Sequence, residues 1–237
     1  MARGVTAIDW DAVPALTAGQ MREVDRVMIE EVGIELLQMM ENAGRGLAEL
    51  GLRRFRPRSA VVLAGSGGNG GGGLAGARHL GNRGVVVRVV LAQPAEKMSP
   101  AARAQLEVLR RMGVPIAEDP SPADLVIDAL IGYSLRGDPQ GRAAELIEWA
   151  NDQQAPVLAL DTPSGLDVTS GHPGSPCVEA TVTLTLALPK TGLRSAPEVG
   201  ELYLADISVP SLVYGRLGLE VPSLFGAGQL VQVVRPK

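Results

Sequence analysis

Hydrophobic positions along the chain fall into two rhythms that take turns. Met21, Val24, Val27 and Met28 recur at helical spacing. Thr17 with Gln20 three residues on forms a capping box, so the pattern predicts a helix over 18–31. Gly33 interrupts it, and Leu36, Leu37, Met39, Met40, Ala43, Leu47 and Leu50 predict a second helix. Ala60 to Ala64 is a short aliphatic run, which reads as a buried strand, and helical periodicity resumes only at Leu74, predicting a helix over 74–83. The alternation continues with a strand over 85–92, a helix over 100–112 opened by Ser99-Pro100, and a very short strand at Ile116. A strand over 124–130, a helix over 142–152 and a strand over 156–160 follow, and then only strands, over 182–188, 202–207 and 230–234. Strands alternating with helices predict a parallel sheet covered on both faces. No linker or repeat divides the chain. Residues 1–237 therefore read as one α/β domain, with 1–16 an extended lead-in and 208–237 a C-terminal extension that completes the sheet or covers a neighbour.

Between the first strand and the helix at Leu74 lie seven glycines, Ser66 and Asn69. Such a run offers no packing and costs chain entropy on ordering, so its use is close approach of backbone N–H groups to an anion. Gly65, Gly67 and Gly70 satisfy G-x-G-x-x-G literally, yet the next strand runs into Ala92-Gln93, without the acid that would hold a ribose hydroxyl. No Lys-Ser or Lys-Thr pair follows the glycines, which excludes a P-loop.

In a parallel sheet, ligands collect at the carboxyl ends of strands near the reversal of strand order. Asn69 in the glycine run, Asp128 ending the 124–130 run, and Asp161 after PVLAL all fall at such ends. Asp161 opens D-T-P-S-G-L-D, whose Pro163 and Gly165 fix a tight turn around Ser164. Oxygens of Asn69, Asp128 and Ser164 could surround a hard cation, leaving Asp161 free as a general acid or base. His172, His79 and Cys177 carry no such signal.

Composition narrows the partners. Net charge is −4 and the pI near 5.3, which argues against nucleic acid or an anionic membrane as main partner. No apolar stretch approaches the ~20 residues of a membrane span, and Asp9 and Asp11 break the first apolar run, so no signal peptide is expected. The one cysteine, Cys177, makes no internal disulfide, which suits a reducing cytoplasm.

Five segments in order carry a resemblance: MENAG (40–44), GSGGNGGGGL (65–74), DALIGYSLRG (128–137), DTPSGLD (161–167) and LPKTGL (188–193). Together they resemble the YjeF N-terminal family, over about Thr17 to Ile207. The resemblance implies a Rossmann-like three-layer αβα sandwich, a frequent homodimer, and NAD(P)H-hydrate epimerase activity, the interconversion of R and S hydrates of NADH and NADPH. It implies a potassium ion in each subunit on Asn69, Asp128 and Ser164. Hydrate contacts are implied at Gly68, Asn69, Gly70, Gly71 and Gly72, at Gly132, Tyr133, Ser134, Leu135, Arg136, Gly137 and Asp138, and at Asp161, the proton-transfer residue. Glu41 and Asn42 would line the same pocket, and Lys190 would sit near a phosphate or in solvent. The family loop usually reads N-N-G-G-D-G; here its first Asn and its Asp are Gly68 and Gly72, which implies an altered site. The dehydratase domain of the family is expected on a separate protein. The competing readings are a binding or scaffold relative that has lost its chemistry with that Asp, and a dehydrogenase using NAD.

Overall fold

The computed structural model describes residues 4–226 and 228–236. Nine strands form one sheet: β1 (Thr6–Asp9), β2 (Ser59–Ala64), β3 (Val86–Leu91), β4 (Ile116–Ala117), β5 (Leu125–Ala129), β6 (Val157–Leu160), β7 (Val182–Leu186), β8 (Glu201–Ala205) and β9 (Leu230–Val234). Their order is β1-β9-β8-β7-β6-β5-β2-β3-β4, and every neighbouring pair is parallel except β8 with β9. From β2 the chain moves outward to β3 and β4, then returns to the other side of β2 as β5. The carboxyl ends of β2 and β5 are therefore where strand order reverses, the place where such sheets bind ligands.

Helices α1 (Ala18–Arg26), α2 (Leu36–Arg54), α3 (Gly68–Gly81), α4 (Pro100–Arg111) and α6 (Ser211–Arg216) share one apolar core with one face of the sheet. Helix α5 (Arg142–Asn151) buries Leu146, Ile147 and Ala150 on the opposite face, against Val61, Leu63, Val126 and Ala159. A third cluster joins Trp10 and Leu193 to the outer strands through Leu202, Leu204, Val231 and Val233. The expected layered α/β sandwich is present.

Three elements differ from the sequence pattern. The lead-in is not simply extended chain: Thr6–Asp9 pairs with β9 as the edge strand, and its mostly exposed side chains left no apolar signal. Its partner β9 is the strand expected over 230–234 and lies in the sheet between β1 and β8. Helix α1 begins at the expected capping box, with Gln20 N–H donating to Thr17 Oγ1 at 3.2 Å, but continues from Val27 to Val32 as a π-helical turn. Gly33 closes that turn at φ +80°. The third difference is the largest: the glycine run is not a loop, because α3 starts at Gly68, six residues before Leu74. Glycines carry no side chain to mark a helical face and have poor helix propensity, so the pattern could not reveal them.

Their role is steric. A Cβ on Gly70 would stand 1.8 Å from the Gly65 carbonyl oxygen, and one on Gly73 would stand 2.3 Å from Ala129 Cβ. Helices α2 and α3 also meet backbone to backbone, since a Cβ on Gly44 would lie 2.5 Å from the Gly76 nitrogen. Gly44→Ala must push α3 away and is expected to lower stability by about 1–3 kcal/mol. Gly81→Ala, with open space around it, is expected to be neutral or stabilising by up to about 1 kcal/mol. Urea denaturation of the two variants beside the parent checks both signs; equal midpoints would show that the helix contact is not tight.

Candidate active site

The site is built where β2 and β5 end. Gly65 N–H donates to the Ala129 carbonyl at 3.0 Å, and a Cβ there would stand 1.9 Å from the Leu130 carbonyl oxygen. The two strand exits thus touch before the chain turns into α3. Above this junction opens a cleft of about 490 Å3. One wall is Met21, Asp25 and Ile29, four residues apart along α1 and its π-helical turn, a distortion frequent at functional sites. Met39, Met40 and Ala43 of α2 form a second wall. Gly67, Gly68, Asn69 and Gly72 at the start of α3, Gly132 to Ser134 after β5, and Asp161 after β6 complete the lining.

Asp161 is the best-anchored polar group. It is 4% exposed and holds φ +69°, a left-handed conformation that a non-glycine residue adopts at a cost. Its Oδ2 accepts from the Tyr133 backbone N–H at 3.1 Å, and its Oδ1 accepts from Lys190 Nζ. Lys190 is 0% exposed; its ammonium also donates to Thr185 Oγ1 at 3.1 Å and to the Leu186 carbonyl at 2.9 Å. Three donors meet three acceptors, the arrangement a buried ammonium requires. Lys190 is therefore neither solvated nor part of the cleft lining. The expectation of a phosphate beside it gives way to its bond with Asp161.

Beneath the cleft lies a second polar group. Asp128 and Ser164 are both fully buried, with Ser164 Oγ donating to Asp128 Oδ1 at 2.6 Å and Ser164 N–H to Oδ2 at 2.8 Å. Ile131 N–H donates to Ser164 Oγ at 2.8 Å, which ties the turn after β5 to the D-T-P-S-G turn. Burial pushes the Asp128 carboxyl up to about 6, against the opposing hydrogen bonds from Ser164 and Leu130. Among the described residues no Lys, Arg or His pairs with it. Asn69 presents a different anomaly, because both polar atoms of its side-chain amide are buried without a hydrogen-bond partner. Buried orphans of this kind call for a ligand, ion or water. The Asp128 carboxylate, the Ser164 hydroxyl and the unmet Asn69 amide oxygen are each the kind of oxygen that a hard cation takes.

The other expected residues divide. Gly70 and Gly71 face protein, Gly71 being in close approach to Met40, while Gly72 reaches the cleft with Leu160 and Ala43 beside it. Leu135, Arg136, Gly137 and Asp138 continue past the lining, and Asp138 Oδ1 accepts from Ser175 N–H at 3.0 Å. Glu41 turns outward to Arg78 and to His79 Nε2 at 2.7 Å, and Asn42 donates to Ser208 Oγ at 3.1 Å. Helical geometry explains this, since Met40 and Ala43, three apart, take the inward face that Glu41 and Asn42 leave. Burial pushes the Cys177 thiol up to about 12, consistent with an inert side chain.

Sequence reasoning missed Asp25. Its carboxylate accepts from the Tyr133 hydroxyl inside the cleft. Burial pushes its pKa up, the nearby Asp161 charge adds to the rise, and the Tyr133 hydrogen bond opposes it. The signal was present as an acid inside the apolar stripe Met21, Val24, Val27 and Met28.

A family model described as YjeF-related protein N-terminus matches residues 36–192. The chain belongs to this family. A relative named NAD(P)H-hydrate epimerase, from Dehalogenimonas lykanthroporepellens, is 46% identical over 98% of each chain. A protein named bifunctional NAD(P)H-hydrate repair enzyme, from Hyperthermus butylicus, is 40% identical over 88% of this chain, which spans 40% of that longer protein. The crystal structure of yeast ynu0 shares the fold at a TM-score of 0.80 and 22% identity, covering 93% of this chain and all of that one.

Removing the cation beside a buried carboxylate is destabilising, by about 3–5 kcal/mol for a well-made pair. Lys190→Met is expected to lose that much, while the Lys190→Met, Asp161→Asn double variant recovers a large part of it. Chemical denaturation of both tests the coupling; additive losses would show that the two charges stand independently.

Proposed function

We propose that the chain is an NAD(P)H-hydrate epimerase, acting on the R and S hydrates of NADH and NADPH. The observation that carries the reading is Asp161, a buried carboxylate gripped on both oxygens and facing a nucleotide-sized cleft that opens beside a glycine-rich helix start. A relative matching 98% of the chain bears the same activity in its name. The hydrated ring carbon bears a hydroxyl and a ring nitrogen, so its configuration is lost either by ring opening or by loss and return of water. Both routes require a proton moved at the hydroxyl oxygen. Asp161 moves it, and the Lys190 and Tyr133 bonds hold the carboxylate in one orientation while it does so. Free N–H groups at the start of α3 suit the pyrophosphate. Gly67 and Gly68, with no neighbour within 4 Å of a Cβ, leave that approach open.

Asn69, Asp128 and Ser164 would hold a potassium ion, which would supply positive charge to the site. A homodimer in the cytoplasm, working with a dehydratase, completes the proposal. The bifunctional repair enzyme, of which this chain spans 40%, supports a second activity alongside the epimerase. No helix among the described residues is long and apolar enough to cross a membrane. The second reading, a binding relative with altered chemistry, is favoured by Gly72, which puts no carboxylate in a wall that the family usually supplies with one.

The deciding assay is R-to-S interconversion, followed by chiral separation above the spontaneous rate. Wild-type protein is expected to accelerate it, and Asp161→Asn to lose about 10²–10⁴-fold of that acceleration. Potassium in place of a bulky organic cation is expected to raise both the rate and the melting temperature, and Asn69→Ala to abolish the thermal shift. Hydrate binding without acceleration would select the binding reading instead.

A further inference from the structure

The proposed reaction makes a geometric demand that Asp161 alone does not meet. When a stereocentre inverts by loss and return of water, oxygen leaves from one face of the ring and arrives on the other. A carboxylate fixed on both oxygens, as Asp161 is by Lys190 and Tyr133, serves one oxygen position. Unless the ring turns over in the cleft, a second proton-handling group must stand elsewhere in it.

Tyr133 marks where that group is. Its backbone N–H holds Asp161 Oδ2, while its hydroxyl donates to Asp25 Oδ2 on the α1 wall. The two carboxyl groups therefore line one cleft from different walls and are bridged by one tyrosine. Two carboxyl groups spaced to admit the reacting carbon and a water are a familiar solution when both sides of a carbon must be served.

We propose that Asp25, oriented by the Tyr133 hydroxyl, is the second acid–base group of this site, serving the face of the hydrated carbon turned away from Asp161. The proposal rests on the epimerase reading. In the forward direction one carboxylic acid gives its proton to the C–O oxygen, the C–O bond breaks, and water departs as the ring nitrogen takes up the positive charge. Water then adds to the opposite face and loses a proton to the other carboxylate. The two groups exchange protonation states over a turnover, and no oxidant or reductant is consumed. The reverse reaction uses the same pair with the roles exchanged.

The surroundings of Asp25 suit the acid half of this cycle. It is pushed up mainly by burial, beside Met21 and Ile29, and further by the charge of Asp161; the Tyr133 hydroxyl and Lys190 act the other way. Arg22, one turn earlier on α1, also acts on Tyr133, whose own hydroxyl is pushed up by burial and by Asp25. The phenol therefore stays protonated and serves as a donor. An elevated carboxyl pKa keeps the protonated form available nearer neutral pH, as a general acid needs.

The test is Asp25→Asn, an isosteric change that keeps an acceptor for Tyr133, in the interconversion assay across pH. The expected result is a kcat lower by about 10²–10⁴-fold, with KM and melting temperature near wild type. The pH limb assigned to the acid should vanish. Tyr133→Phe, which keeps the backbone bond to Asp161, should give a smaller kcat loss and move that same limb to higher pH, because the bond it removes holds the Asp25 pKa down. Wild-type acceleration with Asp25→Asn unchanged in kcat, or changed only in KM, would overturn the assignment and leave the epimerase intact. Absence of acceleration in the wild-type protein would overturn both. If Asp25→Asn does not fold, Tyr133→Phe decides, and an unmoved pH profile counts against the proposal.

Discussion

A buried aspartate and a buried lysine are tolerable only as a pair, and Asp161 with Lys190 is the pair around which this molecule is arranged. The lysine comes from the segment after β7 and the aspartate from the turn after β6, so the bond ties adjacent strand exits together at their functional ends. Thr185 and the Leu186 carbonyl saturate the ammonium, which removes the desolvation penalty that would otherwise make a cation intolerable there. The N-terminal segment adds to the lock, because Leu16 N–H donates to the Pro189 carbonyl and Thr191 N–H to the Leu16 carbonyl. A carboxylate held in a left-handed backbone conformation needs such surroundings to stay in place.

The glycines solve a different problem at the same end of the sheet. Backbones of β2, α3 and the turn after β5 converge so closely that side chains at Gly65, Gly70 and Gly73 would overlap carbonyl oxygens or Ala129. Close approach brings the start of α3 directly over the strand exits. The same approach buries Asn69 beside Gly132, where its amide is left without a protein partner. Tight packing and an unmet polar side chain thus arise from one run of residues, and the run looks like a flexible loop only when its surroundings are unknown.

Much of the plan was legible in the chain. Alternating periods identified most of the strands and the helices between them, and two acids ending apolar runs pointed to the end of the sheet where the cleft opens. What escaped had too weak a pattern to read. Strand β1 is four residues with almost nothing buried, and its place comes from the edge that β9 offers. The first turns of α3 carry only Gly68 to Gly73 and Asn69, so no amphipathic face exists to detect. Asp25 was hidden in the opposite way, as a polar residue within a pattern scored for its apolar members. Lys190, Glu41 and Asn42 show the limit of motif reasoning. Each lies in a segment that resembles the family, yet Lys190 reaches Asp161 from below the cleft, while Glu41 and Asn42 face away from it.

Gly72 bears on how the cleft is charged. A Cβ at this position would lie 2.9 Å from Leu160 Cδ2 and 3.7 Å from Ala43 Cβ, so a longer side chain must displace the end of a flexible leucine or project into the cleft. The carboxylate usual in the family would then be a third acid in a volume of about 490 Å3 that already holds Asp25 and Asp161. Lys190 compensates one of these, and burial favours the neutral form of the other. A third negative charge would raise the pKa of its neighbours and repel a pyrophosphate-bearing ligand. With glycine there, the cleft holds two carboxyl groups whose environments differ, one ion-paired and one hydrogen-bonded to a phenol. That difference is the condition under which two like groups divide into an acid and a base.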